Sequence, residues 1–354
     1  MIIILSEQKA IKGRGSSIAV HNRFDKNQFV ADEGERLEDK ETTSTRYIEI
    51  FPKSIVNEVL SPDIPMNWSM NPYQGCEHGC AYCYARPTHE YWGYNGGVDF
   101  EQTVLIKKEA AKLLIQKFES RSWTGQPIML SGNTDCYQPA ERKFKITREL
   151  LETCLKYRNP VGIITKNSMI TRDIDILREM ARLNLVHVVF SVTTLDEKLR
   201  QKLEPRTATA NQKLKAIRTL TDENIPVSVM MAPIIPSINN QEILSLAKAV
   251  SEAGANSLGY TIIRLNGCVE EVFSDWLERH YPDRKQKVLK QIASCHGGDV
   301  ADKRFKTRMR GEGNFSKIIG QQFKLARQKF GLVGKNSALN SNLFVRKSQF
   351  SLDL

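Results

Sequence analysis

Apolar residues recur along the middle of this chain with two periods. Short apolar runs at 128–130, 161–164, 186–190, 227–231 and 258–263 mark candidate strands, and an earlier strand is expected near Trp68 to Asn71. Between them, residues 146–157, 172–183, 210–220 and 241–253 carry apolar positions at helical spacing. In 172–183, for example, Ile174, Leu177, Met180 and Ala181 fall on one face. Strands covered on both faces read as near-continuous apolar runs. Their alternation with helices predicts βαβ units and a parallel sheet, hence an α/β fold. Six strands are fewer than a closed eight-stranded barrel needs. In such sheets the chemistry gathers at the carboxyl ends of the strands.

The two ends of the chain lack this alternation. Residues 1–45 are polar and aperiodic; Gly13 to Ser17 and Asp32 to Glu35 read as a flexible extension. After residue 275 the pattern turns helical, with candidates at 269–281, 285–294 and 315–330, read as a cap on the open end of the sheet. The expected organisation is therefore an extension (1–45), a barrel-like core (46–275), a helical cap (276–334) and a loose tail (335–354). No internal repeat is visible.

The 354 residues, 41% of them apolar, suffice for one large α/β domain with extensions. The apolar start Met1 to Leu5 is five residues long and is followed by Glu7 and Lys9, too short for a signal peptide. No stretch approaches the length needed to cross a bilayer. Seven cysteines do not form a disulfide framework. The expectation is a protein of the reducing cytoplasm with no membrane partner. The net charge of +11 is uneven: residues 301–354 hold 12 Lys and Arg against 3 Asp and Glu. Such an end can grip phosphate backbones in a salt-dependent way, or be a solvated basic tail.

The candidate chemistry starts at Cys76, Cys80 and Cys83, in the run Asn71-Pro72-Tyr73-Gln74-Gly75-Cys76-Glu77-His78-Gly79-Cys80-Ala81-Tyr82-Cys83-Tyr84. The spacing is C-x3-C-x2-C, with no fourth cysteine nearby. Thiolates suit iron–sulfur clusters or zinc. A closed site wants four protein ligands. Three in eight residues point to a [4Fe-4S] cubane with one iron left open, or to a zinc knuckle completed by His78 or His89. The spacing closely resembles the radical S-adenosylmethionine (SAM) signature. In that superfamily SAM chelates the open iron, and one electron from the cluster releases a 5′-deoxyadenosyl radical. An external one-electron reductant of flavodoxin or ferredoxin type is then implied. Radical SAM enzymes have a partial barrel of six βα units, so the resemblance implies a partial (β/α)6 parallel barrel with the C-terminal helices as a cap.

Polar residues stand at successive strand ends: Thr134 and Asp135, Lys166, Ser191, and then Glu204-Pro205-Arg206-Thr207. A zwitterionic, ribose-bearing cofactor needs a cation for its carboxylate, which Lys166 can supply, and acceptors for its ammonium, which Asp135 can supply. Taken singly, each also fits a turn, a surface position or a structural ion pair.

Together with Ser61-Pro62-Asp63-Ile64-Pro65, the block Ala85-Arg86-Pro87-Thr88-His89, Thr134-Asp135 with Tyr137-Gln138-Pro139, and Arg308-Met309-Arg310-Gly311, these residues resemble the spore photoproduct lyase-like radical SAM group, often labelled DNA repair photolyase. The likeness spans about residues 60–330. It implies that Cys76, Cys80 and Cys83 hold [4Fe-4S]; that Tyr82, Thr134, Asp135, Lys166, Ser191 and Arg206 surround SAM; and that Tyr84 relays a hydrogen atom. Spore photoproduct lyase also uses a cysteine donor three positions before the aspartate that Asp135 matches. Here that position is Gly132, and Cys136 is the alternative donor, or else a small buried residue.

Three functions follow as expectations. The first is a radical SAM enzyme acting on a modified base or lesion in nucleic acid, its candidate partner. The second is a radical SAM enzyme modifying a peptide or small metabolite, favoured by Gly132. The third is a non-enzymatic, zinc-stabilised nucleic-acid binder.

Overall fold

The computed structural model describes residues 11–24, 44–334 and 338–347. Its strands are β1 (Arg46–Glu49), β2 (Val56–Glu58), β3 (Trp68–Met70), β4 (Tyr73–Gln74), β5 (Thr103–Ile106), β6 (Ile128–Leu130), β7 (Val161–Thr165), β8 (Val186–Ser191), β9 (Val227–Ile234) and β10 (Ser257–Ile262). Its helices are α1 (Asp99–Gln102), α2 (Ala110–Glu119), α3 (Glu141–Phe144), α4 (Ile146–Tyr157), α5 (Ile174–Arg182), α6 (Glu197–Leu203), α7 (Ala210–Asp222), α8 (Ile243–Glu252), α9 (Val269–His280), α10 (Lys285–Ser294) and α11 (Gly313–Lys329). Among the described residues, no helix is long and apolar enough to cross a membrane.

All six expected strands are present, as β3 and β6 to β10. They lie in the order β10-β9-β8-β7-β6-β3, every neighbour parallel, with β2 antiparallel to β3 at one edge. The order rises steadily with the sequence, so each crossover steps the same way and the sheet curls with its helices outside. This is the partial six-stranded parallel barrel. Alternate residues divide the two faces. Ile163, Val188, Phe190, Val229 and Met231 are buried in the main core. The other set includes Gly162, His187, Ser228, Met230 and Gly259, and lines an interior space of about 810 Å³. The strands are therefore less uniformly apolar than buried parallel strands usually are.

Local chemistry sets the helix starts. Thr209 and Gln212 form a reciprocal capping box at the start of α7. Asp196 accepts from the Lys198 and Leu199 amides to begin α6.

A second sheet, in the order β1-β5-β4, lies below the cysteine loop and was not anticipated. Its strands are two to four residues long, too short for a pattern to register.

Three expectations about the ends change. Gly13 to Ser17 is not a loose extension: Arg14, Ser16 and Ser17 are buried. Residues 25–43, including Asp32 to Glu35, lie outside the described residues. The helical end divides in two. Helices α9 and α10 bury Phe273, Trp276, Val288 and Ile292 in a second core with Cys80, Ala81 and Tyr82. Helix α11 instead packs on α8 and β10, flanking the barrel. The 275/276 boundary falls inside α9. In the tail, residues 338–347 lie along the barrel: Asn340 N–H donates to Asn184 O at 2.9 Å, Val345 N–H to Tyr157 O at 3.0 Å, and the Phe344 ring packs on Phe118. Residues 335–337 and 348–354 lie outside the described residues.

Candidate active site

β4 delivers the chain to Gly75 and then to the cysteines. Gly75 has φ +80°, and a side chain there would meet Thr103 O at 2.5 Å. Gly79 has φ +65°, and a side chain there would meet Glu101 Oε2 at 2.6 Å. Both positions need glycine for conformation and for space. The loop is tied down at Cys76 N–H to Phe100 O (2.8 Å) and Ala81 N–H to Leu203 O (3.1 Å).

Buried charges hold the loop from behind. Arg86 donates through Nε and Nη2 to Cys80 O (3.1 and 2.8 Å) and through Nη2 to Glu101 at 2.5 Å. Glu101 also accepts from the Gly15 and Ser16 amides at 2.9 and 2.8 Å. The N-terminal segment thus lies against the cysteine loop. Glu77 accepts from Thr45 Oγ1 (2.8 Å), Tyr47 OH (3.2 Å) and Arg206 Nη1 (3.4 Å). None of Arg14, Gly15, Glu77 or Glu101 was singled out from the sequence. Only spatial proximity marks them, apart from the glycine-rich run itself.

Cys76, Cys80 and Cys83 all line one small cavity of about 100 Å³, with Thr134, Asp135, Lys166 and Ser191 on its other walls. Burial pushes the Cys80 and Cys83 thiols up, and Cys80 well up. Lys166 Nζ donates to Ser191 Oγ at 2.7 Å. Asp135 accepts from Tyr137 N–H (2.9 Å), Thr165 Oγ1 (2.8 Å) and Lys166 N–H (2.7 Å), and lies 3.3 Å from His78 Nδ1. Burial would raise its pKa, but the His78 charge and these donors outweigh it and bring it to about 2. Thr134 Oγ1 donates to Tyr73 O at 2.7 Å.

This cavity opens into a larger one of about 410 Å³ at the carboxyl ends of the strands. Cys80, Tyr82, Cys83, Tyr84, Gly132, Lys166 and Ser191 line it on one side, and Pro233, Ile263, Arg264, Arg308 and Met309 on the other. The Tyr82 hydroxyl donates to Glu204, whose carboxylate also meets Lys213 Nζ at 3.2 Å and Thr193 Oγ1 at 2.6 Å. Tyr84 is 58% exposed, and its hydroxyl donates to Gly132 O at 2.8 Å, which places it where the two cavities join.

Two expected residues are not brought here. Cys136 is fully buried in the main core, its N–H on Ser131 Oγ and its carbonyl accepting from Thr147 Oγ1. Burial pushes its thiol well up. It is a packed core residue, because the turn after β6 aims Asp135 at the cavity and its neighbour away. Arg206 reaches Glu77 and Gly13 O beneath the loop and does not line either cavity. Arg264 and Met309 were missed as site residues. Arg264 carried a positional signal, since it lies two residues past the end of β10.

The zinc alternative divides its two candidate histidines: His78 lines the cysteine cavity, with its Nδ1 3.3 Å from Asp135. Among the described residues, no group of three or more His, Cys, Asp or Glu converges on one ion. His89 packs against Phe100 and Tyr94 rather than lining the cysteine cavity.

Comparison with known proteins gives four findings. The Radical SAM superfamily model matches residues 70–250. An uncharacterized protein of Mycobacterium tuberculosis (strain ATCC 25618 / H37Rv) is 31% identical over 238 residues, covering 66% of this chain and 70% of that protein. A radical SAM Nalpha-GlyT isomerase of Pseudomonas phage M6 is 25% identical over 187 residues, covering 52% of this chain and 37% of that protein. Among solved structures, spore photoproduct lyase complexed with dinucleoside spore photoproduct superposes with a TM-score of 0.55 at 13% identity, covering 80% of this chain and 79% of that one. That likeness is one of fold.

Proposed function

The chain belongs to the radical SAM superfamily, and from that premise we propose how its cavity works. It is a radical SAM enzyme, and its family's cofactors are a [4Fe-4S] cluster and SAM. The observation that carries the reading is that the three cysteines, Lys166 and Ser191 share one cavity at the carboxyl ends of the strands. Three thiolates on one cavity would suit a cluster with several metal corners, one of which would lack a protein ligand. Cys76, Cys80 and Cys83 are therefore the proposed ligands. When bound, and with an electron from an external reductant of flavodoxin or ferredoxin type, these cofactors would supply 5′-deoxyadenosyl radical chemistry.

The chain's own residues position and shield. Lys166, held by Ser191, is the cation for a carboxylate. A carboxylate has about four acceptor sites; three hydrogen bonds already occupy Asp135, and His78 Nδ1 lies 3.3 Å from it. Asp135 is thus a positioning residue that fixes Lys166 and His78. Thr134 and Tyr82 complete the walls beside SAM. Ile64, Ile164, Met230, Pro233, Ile262 and Ile263 line the larger cavity and keep water out. Tyr84 is the proposed hydrogen-atom relay, standing between the two cavities.

The proposed substrate is a modified base or lesion in nucleic acid, and the proposed compartment is the reducing cytoplasm. The basic C-terminal segment supports this reading, since its Arg308 lines the larger cavity and Lys303 and Lys306 are exposed on the same segment. A base in a duplex would be flipped out to enter, at a cost of a few kcal/mol. Gly132, which leaves the lyase's donor position without a thiol, favours the second reading, a peptide or small metabolite.

The test is anaerobic incubation of the reconstituted protein with SAM and dithionite, scored for 5′-deoxyadenosine. Formation of that product supports the reading, and its absence from a protein that holds its iron ends it. DNA or RNA binding that weakens steeply with salt supports the nucleic-acid substrate. Absent or salt-independent binding removes it.

A further inference from the structure

Among the described residues, the larger cavity is lined by three cations, Lys166, Arg264 and Arg308, and by no carboxylate. Two of the three are spoken for. Lys166 donates to Ser191. Arg308 meets Asp63 Oδ2 through Nε and Ser61 Oγ through Nη2, both at 2.6 Å, and its guanidinium lies 4.5 Å from the Phe305 ring centroid. Arg264 is different. Its Nη1 reaches Met309 Sδ at 3.0 Å and Arg308 O at 3.4 Å, both weak acceptor contacts. Its Nε is buried with no hydrogen-bond partner.

The nearest acids cannot answer that charge. Asp63 is taken by Arg308 and by the Lys306 amide. Asp302 is taken by Arg304 and His296. Burial, and then the charge of Arg308, push the Arg264 pKa down. A guanidinium nonetheless stays protonated, so a half-buried one whose Nε is shielded from water and unpaired is a standing demand for an anion.

We propose that Arg264 is the oxyanion-binding residue on the substrate side of this cavity, and that the substrate enters with a phosphate or carboxylate oxygen facing it. The inference rests on the reading that the cavity holds substrate beside SAM. Lys166 and Arg264 rise from different walls. They follow β7 and β10, which are separated by β8 and β9, on the order of 14 Å along the sheet at about 4.8 Å per strand. The first cation is placed for the cofactor's carboxylate and the second for a separate anion. The planar fork of a guanidinium pairs with two oxygens of one oxyanion. Between the two sources, the surroundings favour a phosphodiester. Lys303, Phe305 and Lys306 are exposed on the segment that carries Arg308, a mixture of cations and an aromatic face that suits a nucleic-acid strand.

The test titrates the full-length, cluster-loaded protein with SAM present and no reductant, by calorimetry. The probes are the thymidylyl-thymidine dinucleotide, its methylphosphonate analogue with an uncharged linkage, and glutarate. The wild type should bind the dinucleotide more tightly than its neutral analogue. Arg264→Gln should weaken the dinucleotide by about tenfold or more and close the gap to the analogue. Arg264→Lys, which keeps the charge without the fork, should recover part of it. If glutarate binds and depends on Arg264 while the dinucleotide does not bind, the oxyanion site stands and the nucleic-acid substrate falls. The proposal is overturned if the wild type binds neither anion, if the charged and neutral dinucleotides bind alike, or if Arg264→Gln weakens SAM instead of the probe. Iron content verifies that each variant is folded. Should Arg264→Gln lose its iron, the comparison of Arg264→Lys with the wild type decides.

Discussion

Asp63 and Arg308 are 245 positions apart in the chain, and their side chains meet at 2.6 Å. Asp63 lies between β2 and β3, and Arg308 precedes Met309, whose carbonyl accepts from Ile262 N–H of β10 at 3.0 Å, so the pair joins the two edges of the open barrel. The Lys306 amide reinforces it, donating to Asp63 Oδ1 at 2.7 Å. Ile64, next to Asp63, lines the larger cavity, so the latch also closes the side of the site. Asp63→Ala should free the 61–66 strap. Hydrogen exchange there should rise and the melting midpoint should fall by a few degrees. Unchanged exchange in 61–66 would show the strap to be held by other contacts.

The cysteine assignment predicts about four irons per chain in anaerobically purified protein. Cys76→Ala, Cys80→Ala and Cys83→Ala should each lose most of that iron and all 5′-deoxyadenosine. Cys136→Ala should keep both, since Cys136 is a core residue. Iron analysis and product chromatography check the four variants together. Turnover that survived in Cys80→Ala would count against the tripod.

The N-terminal segment makes a closer contact than any other glycine in the site. A Cβ on Gly15 would stand 1.8 Å from Gly79 O, inside the cysteine loop. Gly15→Val must therefore shift either the segment or the loop, an overpacking cost of about 1–3 kcal/mol. We expect faster release of iron to a chelator, with wild-type helix content by circular dichroism.

Glu204 and Lys213 form a buried ion pair that anchors Tyr82. Burial opposes the Glu204 charge, but Lys213 and then Lys166 outweigh it and lower its pKa to about 2. Lys213→Met should leave that carboxylate buried without its main partner and cost about 3–5 kcal/mol. The double change with Glu204→Gln should cost less than Lys213→Met alone. Urea midpoints of the three proteins decide the order.

His89 is buried beside Phe100 and Tyr94, and burial lowers its pKa from 6.5 to about 4. The unfolded chain binds this proton more readily than the native one, so native stability must fall as pH drops from about 6.5 to about 4. The shift corresponds to up to roughly 3 kcal/mol over that window. His89→Phe removes the titration. Its urea midpoint should fall less than that of the wild type between pH 7 and pH 4.5.

The chain by itself determined the six parallel strands, the helices between them and the cysteine tripod. Each depends on a local repeat or a spacing within eight residues, and buried strands or soft ligands leave that mark wherever the chain later goes. Lys166 and Ser191 were legible for a related reason, as polar residues at the carboxyl ends of apolar runs. Only the tertiary structure decided the rest. It turned Cys136 into the core while its neighbour Asp135 faces the cavity, and it moved Arg206 beneath the loop to Glu77. It set Gly15 against Gly79, latched Asp63 to Arg308, and left the buried Nε of Arg264 without a partner. Each of these relations joins residues through the closing of a curved sheet. The energy of a buried charge or a tight backbone contact is set by what the fold brings near it, and a periodicity carries no record of that.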